Sequence, residues 1–293
     1  MVTARVIVAA GLAICVMADA AVGRPSGGAT IPPDQRRAIL EKGLASFEAA
    51  VAEGRHGSPT AQTLYREAAG RFESLIRSGV RNGRLCYNLA NTYVRLGEIG
   101  RAIVYYRRAQ RHMPGDDRIA QNLDFARGLC EIRFQRPATS AIVETLLFWH
   151  FRTSVAGRTL VALGGYILFW LVALGMRRLS RRVAALNWIL AVIAVVTLCT
   201  AASVGHDRWT ASKRFEGVIV ADDVTLRKGG GEYYDPQFDR SFPQGVEFQI
   251  LEARPDVNNR IWYRVELPDG KDGWLPADQA EIINPPDADG ATT

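Results

Sequence analysis

Arg84, Asn88, Asn91 and Arg95 recur at three- and four-residue spacing in the stretch GRLCYNLANTYVRL, and Arg118, Gln121 and Asn122 take matching places about one repeat later. At helical pitch such a spacing sets side chains on one face. Guanidinium forks and carboxamides make directed hydrogen bonds to carboxylates and carbonyls, so the face suits a peptide backbone or an acidic chain end. Asn88 and then Arg118 are the leading contacts, with Arg84, Asn91, Arg95 and Asn122 completing the set on that face. The same pattern also fits an ordinary solvated helix face.

Groupings that would break bonds are not visible. His56, His112, His150 and His206 are scattered, with no carboxylate or cysteine at ligand spacing. There is no P-loop, the glycines of KGGGEYY sit in a turn between strands, and no serine has a G-x-S-x-G context. Asp116-Asp117 and Asp222-Asp223 read as helix-start and turn carboxylates. The expectation is a binding protein and not an enzyme, with no metal and no cofactor. Beyond the first twenty residues the cysteines are Cys86, Cys130 and Cys199, an odd set that suits small buried hydrophobes; a Cys86–Cys130 bridge stays open.

The elements that must carry that helical face lie between Pro33 and Gln135, where apolar residues recur at helical spacing and Gly54–Ser58 and PGDD (114–117) interrupt them. Charge is unevenly distributed along the 293 residues. Residues 31–137 hold 18 basic against 11 acidic side chains, a net +7, while residues 205–293 hold 10 against 17, a net −7. The overall pI near 9.3 thus describes no single surface, and with no nucleic-acid module in view, a nucleic-acid partner is not expected.

Residues 1–20 read as an export signal: Arg5, an apolar run from Val6 to Met17, then Ala18-Asp19-Ala20 at cleavage spacing. Residues 159–176 carry no charge, nor do residues 183–206, and each run is long enough for a membrane helix, placed at 159–176 and 183–204. Upstream, SAIVETLLFWHF (140–151) has the stripe of a helix lying in the interface, with Trp149 at headgroup level. The turn Arg177-Arg178-Leu179-Ser180-Arg181-Arg182 is basic, and short basic loops stay in the cytoplasm. A membrane location follows, with both long flanks outside the cytoplasm.

After Asp207 the pattern shifts to short alternating runs: GVIVA (217–221), VTLRK (224–228), VEFQIL (246–251), IWYRVEL (261–267) and GWLPA (273–277). Five short strands over residues 215–284 predict a small, nearly closed barrel. The tail 285–293 has nothing to bury and is expected to be disordered.

Residues 83–116 resemble a tetratricopeptide repeat. Cys86, Leu89, Ala90 and Tyr93 form one stripe, Leu96-Gly97 ends the helix, Ala102, Tyr106 and Ala109 form the second stripe, and Pro114 closes it. Cys86 stands where a large aromatic is usual. Shifting by 34 residues in either direction gives an earlier copy through Ala68, Phe72 and Leu75 and a capping helix near Ala120 and Leu123, so the helical domain (31–136) holds about two repeats and a cap. By the tetratricopeptide resemblance, the face of Arg84, Asn88, Asn91, Arg95, Arg118 and Asn122 lines a peptide-binding groove. Tyr105 is expected exposed and Tyr106 in the core. Val224-Thr225-Leu226-Arg227 with glycines 229–231, Trp262-Tyr263-Arg264-Val265 and Asp269-Gly270…Gly273-Trp274 resemble a bacterial SH3-like domain, with a longer run at Glu232–Ser241 and both tryptophans in the core. The order of the parts resembles the BatE-type tetratricopeptide membrane proteins of the Bacteroides aerotolerance operon. That resemblance implies a non-enzymatic scaffold in the bacterial cytoplasmic membrane, with membrane-anchored von Willebrand factor A domain proteins and a cytoplasmic MoxR-type AAA ATPase as partners. Peptidoglycan binding through the SH3-like domain is the alternative.

Overall fold

A computed structural model describes residues 31–54, 57–132, 149, 153–178, 184–213 and 215–284. The expected export signal, the interfacial helix apart from Trp149, the core of the basic turn (179–183) and the tail lie outside the described residues.

Five helices come first: α1 (Pro33–Ala52), α2 (Pro59–Arg77), α3 (Gly83–Leu96), α4 (Ile99–His112) and α5 (Asp117–Gly128). Their ends follow local chemistry. Proline stands in the first turn of α1 and α2, where its missing N–H costs nothing. Asn82 Oδ1 accepts from Arg84 N at 2.8 Å and Asp116 Oδ1 from Arg118 N at 3.1 Å, capping α3 and α5. Gly97, at φ +80, ends α3 in a left-handed turn that residues with a Cβ rarely adopt. The stripes expected from sequence are the core: Ala68, Phe72, Leu75, Cys86, Leu89, Ala90, Tyr93, Ala102, Tyr106 and Ala109 are all buried. Tyr105 corrects the expectation, because it is buried beside Tyr106. It stacks on Tyr93 with centroids 5.6 Å apart, and the Arg108 guanidinium lies 4.6 Å above its ring. The described cysteines are thiols, not half-cystines.

Helices α6 (Val155–Arg178) and α7 (Ala184–Lys213) form an antiparallel hairpin, and both are apolar and long enough to cross a membrane. Gly165 lets the helices touch at Thr197, where a Cβ would collide with the hydroxyl. At the open end of the hairpin, Arg158 is only 5% exposed. It donates to Ser203 Oγ and, at 2.5 Å, to Asp207 Oδ2.

The β unit begins one residue after α7. Strands β1 (Phe215–Ile219), β2 (Glu247–Pro255), β3 (Ile261–Glu266), β4 (Asp272–Pro276) and β5 (Ala280–Ile282) make an antiparallel sheet in the order β4-β3-β2-β1-β5. Four of the five expected strands are present. VTLRK is not one: Val224 and Arg227 make only isolated bridges, to Phe242, Pro236 and Trp274, and the fifth strand is β5 instead. The bridges still fold this segment over the sheet, burying Val224, Leu226 and Phe242 with Phe248, Val265 and Leu275. Trp262 and Trp274 are buried as expected.

The helical and β units are not separate. Strand side chains alternate, so Ile219 enters the sheet's core while Val218 joins the helical core, together with Ile283. Helix α4 lies against β1, and Gly100 is where the backbones meet. A Cβ there would sit 2.9 Å from Val220 Cα and closer still to the Ile219 carbonyl oxygen. Gln244 clamps the same point, accepting from Gly100 N at 3.1 Å and donating to the Gly97 carbonyl at 3.3 Å. Further along, Arg107 donates to Glu216, Arg108 pairs with Glu281 at 2.9 Å and donates to the carbonyls of Ile282 and Ile283, and Arg127 grips Glu247 at 2.6 and 3.0 Å. Burial works against the charge of Arg107, but Glu216 and Glu247 outweigh it and hold the guanidinium above its usual pKa.

Gly100→Val therefore lowers the unfolding free energy by roughly 1–3 kcal/mol through overpacking, read as a drop in Tm in detergent. Gly70→Ala in α2, where a Cβ meets nothing within 4 Å, raises stability by about 0.5–1 kcal/mol in the same assay.

Candidate functional site

Helices α1, α2, α3 and α5, on the side away from β1, enclose a groove of about 700 Å³. Its floor is polar. Tyr106 Oη, reaching through from α4, donates to Asn91 Oδ1 at 2.6 Å. Asn122 Nδ2 donates to the same oxygen at 3.1 Å and to Tyr87 Oη at 3.0 Å. Burial, then the neighbouring Tyr87, pushes the Tyr106 phenol well above its usual range, so it stays a neutral donor at any physiological pH. The walls are apolar: Phe47 and Val51 from α1, Tyr65 from α2, Val94 from α3, and Phe125 and Leu129 at the end of α5. Three wall residues stand together facing solvent, Phe125 at 59% and Val51 and Leu129 at 48% each.

Of the residues expected to form the groove, Asn91, Arg95 and Asn122 come together in its lining. Arg84, Asn88 and Arg118 do not. Asn88 is half-buried on α3 and its carbonyl accepts from Thr92 Oγ1 at 2.8 Å. Arg118 turns back on its own cap, holding Asp116 through Nε at 3.0 Å and Nη2 at 2.7 Å, and that pairing keeps the Asp116 carboxyl below its usual pKa. Arg84 lies exposed near the start of α3. The set divides along the helix axis and not around it, because each residue advances 1.5 Å along α3. Positions 84 and 88 lie one to two turns toward the α3 N-terminus, past the mouth between α1 and α5.

Sequence reasoning missed the apolar half of the site. A signal was present: Asn122, Phe125 and Leu129 stand at i, i+3 and i+7, continuing the polar stripe with uncapped hydrophobes. Among the described residues no group of three or more His, Cys, Asp or Glu is placed to hold a metal ion. The arrangement offers hydrogen-bond donors and acceptors on the floor and apolar contact on the walls, which is recognition chemistry for a partly apolar peptide.

No family model matches the chain, and neither does any characterised protein or solved structure.

Tyr106→Phe removes one donor to Asn91 while Asn122 still serves that oxygen, so it costs only about 0.5–1.5 kcal/mol of stability in thermal unfolding. Asn91→Leu leaves both the Tyr106 hydroxyl and the Asn122 amide without their acceptor and costs more than the Tyr106 change. A smaller loss for Asn91→Leu would show that the floor is hydrated and not a closed network.

At the far end of α4, burial and then Arg111 and Arg81 hold His112 below its usual pKa of 6.5. The unfolded chain therefore takes up a proton that the folded chain resists. Stability contributed at this position is complete above pH 6.5 and falls as the pH drops below it. His112→Gln flattens the stability–pH curve in that window, measured by denaturant unfolding between pH 5 and 7.5.

Proposed function

We propose that the chain is a membrane-anchored, non-enzymatic scaffold of tetratricopeptide type with an SH3-like β domain, both outside the cytoplasm of a bacterial cell. Its α1–α5 groove binds a segment of another envelope protein. The observation that carries this reading is the pairing, in one groove, of a buried amide–tyrosine floor with exposed Phe125, Val51 and Leu129. Solvent-facing walls of this kind cost free energy until something apolar covers them. Membrane anchoring is supported by α6 and α7, whose outward faces expose Leu160, Leu171, Trp188 and Leu198, a surface suited to lipid. The cytoplasmic turn is supported by the four arginines between residues 177 and 182. The resemblance to BatE-type proteins makes proteins with von Willebrand factor A domains, in an envelope stress assembly with a MoxR-type ATPase, the partners to look for.

Peptidoglycan binding by the β unit is a second reading, favoured by one feature. Tyr233 and Tyr234 are exposed with ring centroids 4.4 Å apart, beside glycines 229–231, and offer aromatic faces to a flat ligand.

The full-length protein purified in mild detergent retains its partners, and Phe125→Asp with Leu129→Asp reduces them about tenfold or more in quantitative mass spectrometry. Tyr233→Ala with Tyr234→Ala leaves that set unchanged. If instead the tyrosine pair alone governs co-sedimentation with purified cell wall and the groove variant retains every partner, the peptidoglycan reading replaces the groove. Cysteines introduced at position 179 into a cysteine-free background label only from the cytoplasmic side, and at positions 60 and 240 only from outside.

A further inference from the structure

The end of the helical unit nearest the hairpin carries a basic cluster that neither the groove nor the docking contact uses. Its position follows from chain continuity. The apolar stretch of α7 ends at Asp207, and the helix runs on to Lys213, about 9 Å at 1.5 Å per residue. β1 starts at Phe215, and Glu216 is already bonded to Arg107 of α4. One turn further along α4, Arg111 stands in the fields of both Glu216 and Asp207. The C-terminal end of α4 therefore points at the open end of the hairpin.

Two other helices meet α4 there. At Gly83 a Cβ would sit 2.9 Å from both His112 Cβ and Met113 Cγ, so the start of α3 is pressed against the end of α4. The start of α5 follows within a few residues, at Asp117. Arg81, Arg84, Arg111, His112 and Arg118 thus collect at one end of the unit, each reaching solvent, with His112 and Arg111 partly covered. They sense one another: His112 is lowered by burial and then by Arg111 and Arg81, and Asp116 by Arg118 and, more weakly, Arg84. Asp116, which Arg118 holds, and Asp117 are the carboxylates at the start of α5. The acids beyond it have strong claims elsewhere, since Glu216 holds Arg107 and Asp207 holds Arg158.

We infer that this end, formed by Arg81, Arg84 and Arg111, is a docking surface for anionic phospholipid headgroups of the bilayer that the hairpin crosses. The inference rests on the membrane reading given above. Guanidinium groups bind phosphate diesters with two parallel N–H···O bonds, and a basic patch beside a bilayer gains from an anionic surface within a Debye length. The contact holds the helical unit down on the membrane and leaves the groove, on its other flank, open to a partner.

The test uses the full-length protein in nanodiscs of phosphatidylcholine alone and of phosphatidylcholine mixed with phosphatidylglycerol. Amide hydrogen exchange is followed in peptides covering residues 81–87 and 111–118. In the anionic discs those peptides exchange slower by about fivefold per engaged arginine, and 0.5 M salt removes the difference. The Arg81→Gln, Arg84→Gln, Arg111→Gln variant shows equal exchange in both discs. Arg84→Gln alone, at an exposed position, keeps the fold and gives an intermediate value. Equal exchange in both discs for the natural protein overturns the inference while leaving the membrane reading intact. Protection by inorganic phosphate in neutral discs also overturns it, because the site would then be one for a free anion. Release of the protein from membranes by alkaline carbonate would overturn both readings together.

Discussion

Helix α4 and strand β1 touch backbone to backbone at Gly100, and the seating of the β unit on the helical unit depends on that approach. The chain reaches the contact from both sides of the α6–α7 hairpin: α4 is more than a hundred residues before its partners Gln244, Glu247 and Glu281. Closing a loop of that length costs entropy that rises only slowly with length, so a modest interface can sustain it. The interface is more than modest. It merges Val218 and Ile283 into the helical core and sets three arginines against three glutamates while supplying backbone carbonyls to Arg108. Isolated exposed ion pairs contribute little. Here the pairs are half-covered and share partners, Glu247 serving both Arg107 and Arg127, so removing one member would strand another in a partly desolvated place.

Docking also decides which face of the helical unit stays available. Adjacent residues of α4 have opposite duties: Tyr106 turns inward to the groove floor, while Arg107 and Arg108 turn outward to the β unit. A rotation of α4 that loosened the arginines would move the Tyr106 hydroxyl relative to Asn91. The groove and the β unit therefore share one helix as a common wall. The groove floor and the seat of β1 thus rest on residues one position apart.

Much of this was legible in the sequence, and what was not has identifiable physical causes. The stripes through Ala68, Phe72, Leu89, Tyr93, Ala102 and Ala109 were readable because small and aromatic residues at helical spacing have one packing solution. The hairpin helices were readable from composition alone. The groove was half readable: face assignment put Asn91, Arg95 and Asn122 together, but spacing cannot say how far along α3 the mouth extends, so Arg84, Asn88 and Arg118 were grouped with them. VTLRK failed as a strand because its alternation reports burial, and Val224 and Leu226 are buried by crossing the sheet instead of joining a ladder. Tyr105 failed because Tyr93 and Arg108 close over its ring, on the flank where Arg108 also pairs with Glu281 of the docked β unit. The docking itself left only a statistical trace, opposite net charges of +7 and −7 in two segments. Local periodicity carries no information about which distant surfaces meet.

That charge asymmetry now resolves into separate assignments. Arg107, Arg108 and Arg127 are spent on Glu216, Glu247 and Glu281, which accounts for much of the opposition between the two segments without any outside partner. Arg158 is held by Asp207 and Ser203 at the mouth of the hairpin. What remains concentrated is the group at the α3, α4 and α5 ends, and it lies where the chain's own geometry brings it nearest the hairpin. A basic protein therefore need not have a diffuse basic surface. Here internal acids neutralise one cluster of arginines, and a second basic group stands apart from it at the helix ends, on the side from which α7 reaches β1.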